Sequence, residues 1–374
     1  MSAAVPDAAV TAKVTVLRPL SAPRQARLAL LGTGTVGTAF VQRYLRLGDD
    51  VRLPPLTLIA NSRDAQGCNG DVHQVLRSLA SSARRHGTVE LDPDAFVRGD
   101  IVVDASASEQ VAERHAQWLR RGVHVVTANK LGMGASLRRA QEITAAQREG
   151  RTRYGDAATV GAGLPLIRSI RELTRGGDRI HAVEGVLSGS LAWLFNHYDG
   201  MRPFSRFVRE ARTAGYTEPD PRIDLSGEDV RRKLLILARA AGTALTAEDI
   251  RVDSLVPEAL AQAQPEHVDA QLPSLDTDLR ERYQQAYRAG AKLRFVGRFR
   301  IDDAGSVSAS VGLHALPDTH ALCGGGGTDN RVAIRSCRYD AQPLVIQGPG
   351  AGADVTAAAL LDDVIAIAGQ PGQR

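Results

Sequence analysis

Residues 215–233 read Gly-Tyr-Thr-Glu-Pro-Asp-Pro-Arg-Ile-Asp-Leu-Ser-Gly-Glu-Asp-Val-Arg-Arg-Lys, a turn-forming acidic stretch that runs into an apolar, helix-like segment. The rings of Pro219 and Pro221 stiffen the backbone around Glu218, Asp220 and Arg222. Ser226 or Asp224 can cap a helix beginning near Gly227. On that helix Asp229 and Lys233 stand four residues apart, on one face and close enough to pair. A stiff acidic turn feeding a helix with a carboxylate-paired lysine can hold a polar substrate and deliver a proton. The same spacing also fits an ordinary capped helix with a surface salt bridge, an interaction of little weight by itself.

A second set of residues lies near the start of the chain. Gly32-Thr-Gly34-Thr35-Val36-Gly37 follows an apolar strand and opens a helix. The first glycine permits a tight turn, the second lets the backbone approach a pyrophosphate, and the third lets helix and strand pack closely. The N–H groups of the helix start attract phosphate. In this context the motif indicates dinucleotide binding. The second strand ends Ala60-Asn61-Ser62-Arg63, without the carboxylate that reads a free ribose. Arg63 is placed to accept a 2′-phosphate, which favours NADP(H) over NAD(H), although Asp64 stands beside it. Ser106 and Ser108 follow the third strand and Lys130 follows the fourth, the edge at which such sheets bind ligands. The segment from Tyr154 to Pro165 is rich in glycine and reads as a hinge, or as backbone able to turn carbonyls toward a hard cation.

The elements that must hold these residues alternate. Apolar runs at 27–31, 56–60, 100–105 and 123–127 read as buried strands, and 39–47, 71–86, 109–121 and 137–148 read as helices. Alternation of this kind gives a parallel sheet covered on both faces. Beyond 182 the pattern changes to a strand near 183–190, helices over 190–198, 204–214 and 227–242, and paired strands over 292–301 and 306–313. A four-glycine loop at 324–327, expected to be mobile or close to another backbone, a strand from Pro343 and a helix over 354–368 follow. The division expected is an extension over 1–25, a cofactor domain over 26–153, a substrate domain over 154–340 and a C-terminal segment over 341–374.

Composition narrows the class. The chain has 374 residues, 43% hydrophobic and 24% charged, as in soluble globular proteins of two or three domains. The net charge of +4 is dispersed and not interleaved with aromatics, so no nucleic-acid footprint emerges and small anionic ligands fit better. Three cysteines, Cys68, Cys323 and Cys337, form no metal-ligand spacing, and their sparse, odd count points to a reducing, cytoplasmic setting. No signal peptide or membrane span is legible.

Six segments, LGTGTVG, VVTANK, TVGAGLPLI, GVLSGSLAWLFN, AGYTEPDPRIDLSGEDVRRKLLILA and QGPGAGADVTAAALLDDVI, occur in this order, and over about residues 26–369 the chain resembles homoserine dehydrogenase. The resemblance implies a Rossmann-type parallel-sheet cofactor domain, a second mixed α/β domain for substrate and dimerisation, and a C-terminal return to the first. It implies reduction of L-aspartate 4-semialdehyde to L-homoserine with NADH or NADPH, on the path to threonine and methionine, by a homodimer.

By position, the resemblance assigns Lys233 as proton donor and Asp229 as the acid beside it. Glu218 would hold the substrate, and Lys130 would stand where cofactor and substrate meet. Ser106 falls near the nicotinamide and Gly352 beside the cofactor. Backbone carbonyls of Val160, Ala162 and Leu164 match those offered to a monovalent cation such as sodium. Two positions depart from the family pattern: Ala157 replaces a carboxylate, with Asp156 adjacent, and Ile223-Asp224 replaces two consecutive aspartates, so that Asp224 alone remains for the substrate. With about 26 residues ahead of the first strand, neither an N-terminal kinase nor a separate regulatory domain is expected. Two competing readings are aspartate-semialdehyde dehydrogenase, which needs a cysteine nucleophile, and a catalytically silent NADP-binding sensor, suggested by Ala157 and Ile223.

Overall fold

The computed structural model describes residues 25–48, 51, 53–68, 70–82 and 95–369; nearly all of the expected extension over 1–25, and residues 83–86 of the second expected helix, lie outside them. The first half runs β1 (Leu28–Leu31), α1 (Thr35–Leu47), β2 (Leu56–Ala60), β3 (Ala65–Gly67), α2 (Val72–Ser81), β4 (Ile101–Asp104), α3 (Glu109–Arg120), β5 (His124–Thr127), α4 (Leu137–Gly150) and β6 (Tyr154–Gly155). Its sheet has the order β3-β2-β1-β4-β5-β6. All neighbours are parallel except β2 and β3, which form an antiparallel hairpin. Strands β1, β4 and β5 are buried on both faces, as continuous apolar runs require. Ser108 and Ser136 cap α3 and α4 by accepting from Val111 N and Arg139 N.

In the first half, the start of α1 and the strands β3 and β6 fall outside the periodicity argument. Helix α1 starts at Thr35, four residues ahead of its first buried apolar stripe, because its first turn is the exposed glycine loop. Strand β3 is a short Ala-Gln-Gly run without an apolar pattern. Strand β6 completes the first sheet just beyond the division drawn at 153.

The second half runs α5 (Leu166–Arg175), β7 (Ile180–Val186), α6 (Gly189–His197), α7 (Phe204–Thr213), α8 (Arg222–Leu225), α9 (Glu228–Ala240), β8 (Ile250–Val252), α10 (Glu258–Ala261), α11 (Val268–Gln271), α12 (Asp276–Arg288), β9 (Ala291–Ile301), β10 (Val307–Pro317), β11 (Asp329–Ser336), β12 (Leu344–Pro349) and α13 (Ala353–Ala368). The second sheet has the order β12-β11-β7-β9-β10-β8 and is antiparallel apart from the β10–β8 pair. Val183, Phe295, Phe299, Val332 and Ile334 form a core with Val230, Leu234 and Leu237 of α9. Helix α13 returns to the first half, where Leu360, Leu361 and Val364 join Leu28, Leu30, Phe40 and Ile101. The four-glycine loop is tied by Asn196, whose side-chain N–H donates to Gly327 O (3.0 Å), and Gly324 lies against the Arg331 side chain.

Helix α9 starts at a constrained point. Gly227 has φ 78°, and a Cβ there would stand 2.9 Å from the Phe295 ring. Glycine is thus required both by conformation and by space. Neither expected residue is the cap: the N-cap is Gly227 itself, without a side-chain bond, while Ser226 one position ahead accepts from Glu228 N (3.2 Å) and Asp224 turns away from the helix and bonds elsewhere.

Candidate active site

The glycine loop sits where the strand order reverses, between β1 and β4, at their carboxyl ends. Gly32 has φ 101°, and a Cβ on it would lie 2.8 Å from the Ala105 carbonyl. A Cβ on Gly37 would lie 1.9 Å from Gly32 O, so that glycine closes the loop on the helix. Around Gly34 nothing lies within 4 Å of such a Cβ. Two glycines therefore serve packing, and the third keeps a space open at the helix start. The N–H groups of Thr35, Val36 and Gly37 precede the first intrahelical bond, Thr38 N to Gly34 O (2.9 Å), and face that space unpaired in the helix. This cradle fits a dinucleotide diphosphate.

The other cofactor-side residues are placed as follows. Arg63 is half-buried and donates to Ala80 O (2.9 Å) at the end of α2, while Asp64 turns back to Ala65 N and Gln66. The carboxylate beside Arg63 is thus occupied along β3. Ser106 donates to Asp104 Oδ1 through both its N–H (2.9 Å) and its hydroxyl (2.6 Å). Gly352 stands at the head of α13, where its carbonyl accepts from Thr356.

At the same sheet edge, three charged side chains from both halves of the chain meet. Asp229 on α9 pairs with Lys233 one turn on (2.8 Å) and with Lys130 after β5 (3.1 Å), one carboxylate oxygen to each. Burial opposes the charged carboxylate, but the ammonium groups of Lys233 and Lys130 outweigh it and hold the Asp229 carboxyl far below the usual range. Lys233 is buried, and its Nζ also donates to Leu187 O (2.8 Å) at the end of β7. An ammonium has three donors, and two are committed. Further along α9, Arg239 donates to Met133 O (2.6 Å) and Ala135 O (2.9 Å), so the helix grips the segment that carries Lys130.

The acidic turn divides its work. Arg222 clasps Asp220 and donates to Ala263 O (2.7 Å), anchoring the turn to the α10 region. Asp224 accepts from Ser190 Oγ (2.7 Å) and from Glu218 N (2.9 Å). The Glu218 side chain is exposed and bonds to no described residue. Ile223 is 57% exposed, and the carboxylate that remains, Asp224, makes the side-chain hydrogen bonds of the pair. Leu187 O, Ser190, Asn129 and Asp104 are parts of this site that residue spacing does not single out.

At the hinge the carboxylates near the expected cation position are committed to other partners. Ala157 has no side-chain oxygen. Both oxygens of Asp156 are taken by Arg171 (2.5 and 2.8 Å). Asp363 accepts from Ala157 N (3.1 Å) with Arg168 at 3.8 Å, and Leu164 O already accepts from Leu166 N (2.8 Å). Two guanidinium groups in place of free carboxylates oppose a further cation. Among the described residues no group of three or more His, Cys, Asp or Glu could hold a metal ion, and no helix is long and apolar enough to cross a membrane.

Cysteine chemistry has no place in the crevice. Burial pushes the thiols of Cys68 and Cys323 up, away from the reactive thiolate. Cys337 is exposed just beyond the end of β11.

Comparison with known proteins agrees with this arrangement. The family profile described as "Homoserine dehydrogenase" matches residues 165–365, and "Homoserine dehydrogenase, NAD binding domain" matches 32–155. A homoserine dehydrogenase of Emericella nidulans is 34% identical over 365 residues, which is 91% of this chain and 97% of that protein. A bifunctional aspartokinase/homoserine dehydrogenase 1 of Zea mays is 42% identical over 283 residues, 75% of this chain. The chain spans about a third of the length of such bifunctional relatives, 30% in that case. A crystal structure of a Candida auris protein described as of unknown function superposes with a TM-score of 0.82 at 32% identity, over 92% of this chain and 98% of the other. With both domains matched and the lysine–aspartate cluster joining them, the chain belongs to the homoserine dehydrogenase family.

Proposed function

We propose that the protein reduces L-aspartate 4-semialdehyde to L-homoserine, a step toward threonine and methionine, with NADPH favoured over NADH. The observation that carries this reading is the Lys130–Asp229–Lys233 cluster at the carboxyl edge of a parallel sheet whose switch point holds the open glycine cradle. The nicotinamide, when bound, supplies the hydride for the aldehyde carbon. The chain supplies position and charge. Lys233 directs its uncommitted N–H to the carbonyl oxygen, stabilises the developing oxyanion and gives it the proton. Asp229 holds both ammonium groups in place and balances their charge. Lys130 stands at the junction of cofactor and substrate, and Glu218 meets the substrate's amino group. Asp224 orients the Glu218 backbone.

Gly32, Gly34, Thr35, Val36 and Gly37 hold the diphosphate, Ser106 lies by the nicotinamide, and Gly352 borders the cofactor from α13. Arg63, released from Ala80 O, takes the 2′-phosphate. The carboxylates committed at the hinge support turnover without a monovalent cation at Val160, Ala162 and Leu164. A cytoplasmic homodimer completes the reading. Purified protein mixed with NADP⁺ and L-homoserine should generate the absorbance of the reduced cofactor. Cofactor binding without turnover would instead favour the sensor. Arg63→Ala should lower kcat/KM with NADPH and leave that with NADH nearly unchanged; equal losses would reject the 2′-phosphate role.

A further inference from the structure

Behind the crevice lies a fully buried carboxylate, Asp104, at the end of β4, together with the equally buried His115. Its Oδ1 accepts both donors of Ser106 (2.9 and 2.6 Å). Its Oδ2 accepts from Asn129 Nδ2 (3.0 Å) and from His115 Nε2 (3.0 Å). A carboxylate only accepts, so Nε2 donates to it, and in the neutral ring Nδ1 then accepts from the Tyr154 hydroxyl (3.1 Å). With the Thr127 hydroxyl 3.5 Å from Oδ2, five donors converge on one side chain. They come from the turn after β4, the end of β5, the loop after it and the body of α3.

The β5 loop is the part that matters for the reaction. Asn129 donates to Asp104 and to Ser108 O (2.9 Å), and its Oδ1 accepts from Leu131 N (3.0 Å). Its Oδ1 therefore fixes the backbone just after Lys130, and its Nδ2 ties that loop to Asp104 and to the turn after β4. Lys130 in turn reaches Asp229 and, through it, Lys233. We propose that Asp104 is a positioning residue that sets the Lys130 ammonium at the cofactor–substrate junction through Asn129. This role rests on the reductase reading of the site.

The isosteric change Asp104→Asn separates this role from packing. The new amide has one acceptor oxygen, which still serves Ser106, and an NH₂ that faces three donors, of which the Thr127 hydroxyl already has an alternative acceptor in Asp104 O (3.2 Å). His115 adapts by moving its proton to Nδ1, so that Nε2 accepts from the new NH₂ and Nδ1 donates to Tyr154 Oη. Asn129 has no such exchange, because turning its amide over would place its donors at Leu131 N and its acceptor at Ser108 O. The loss therefore falls on the Lys130 loop.

The test is a double-mutant cycle on the full chain, with kcat, NADPH affinity by fluorescence and thermal melting measured for Asp104→Asn, Lys130→Ala and the pair. Displacing a positioned group by about 1 Å costs on the order of a hundredfold in rate, so Asp104→Asn should lower kcat about tenfold to a hundredfold with NADPH affinity kept. In the Lys130→Ala background the same change should alter kcat by less than about twofold, because the group it positions is gone. Asn129→Ala should show the same coupling, and it serves if Asp104→Asn does not fold. Losses that multiply, or a wild-type kcat in Asp104→Asn with only the melt lowered, overturn the positioning role. A wild-type kcat in Lys130→Ala overturns the underlying assignment of Lys130, a result distinct from the first two.

Discussion

Replacing Lys233 by methionine removes the ammonium and keeps an unbranched stem of similar length. The side chain is 11% exposed, so the stem stays packed and the loss is confined to Nζ. Three contacts go with that atom: the Asp229 pair, the bond to Leu187 O, and the N–H left for substrate. The second is a stability effect. A carbonyl left dry and unpaired costs about 1–3 kcal/mol, which should appear as a lower melting temperature. The third is a rate effect. General acid catalysis contributes about 10²–10⁴, or roughly 3–5 kcal/mol of barrier. Asp229 keeps its pair with Lys130, and the glycine cradle is untouched, so NADPH affinity should hold. Steady-state reduction of L-aspartate 4-semialdehyde, with fluorescence titration of NADPH and a thermal melt, reads all three. A kcat within about threefold of the parent, with the variant folded, would refute Lys233 as the proton donor.

Gly34→Ala should melt like the parent but bind NADPH weakly, since its Cβ fills open space, whereas Gly37→Ala should melt lower by about 1–3 kcal/mol or more because its Cβ meets Gly32 O. Equal melts for the two would contradict the division between cradle and packing. Burial, with Asp156 close by, pushes the Asp363 carboxyl up to about 6. Between about pH 4 and 6 the native chain then keeps a proton that the unfolded chain has released, so stability falls as pH rises, by at most about 3 kcal/mol. Asp363→Asn, which can still accept from Ala157 N, should melt above the parent at pH 8 and level with it near pH 4; an equal offset at both pH values would reject the cause. Turnover should be the same in sodium, potassium or a bulky organic cation, and a strict requirement for one small cation would show that the hinge carbonyls bind it after all.

What could be read ahead of the structure depended on distance along the chain. The glycine loop and the strands around it are local patterns, and β1, β2, β4 and β5 lie where apolar runs predict them. The Asp229–Lys233 pair is equally local, one helical turn apart. Lys130 could be put at the sheet edge but not against Asp229, because that contact spans 99 residues and depends on how α9 crosses the first half. The anchor of Lys233 is a backbone carbonyl, Leu187 O, and a carbonyl has no signature in the residue it belongs to. Asp104 shows the same limit from the other side. Its letter marks only a strand end, while its chemistry is set by donors 2, 11, 23 and 25 residues away. The hinge is the sharpest case. Ala157 in place of a carboxylate says that something is missing, and the adjacent Asp156 looks like its substitute. Only Arg171, one residue into the second turn of α5, decides otherwise, since it takes both oxygens of Asp156 and leaves a guanidinium where a cation would need a ligand. A departure from a family pattern therefore acquires its meaning from the partner that replaces the lost group, and that partner is found by folding the chain rather than by reading along it.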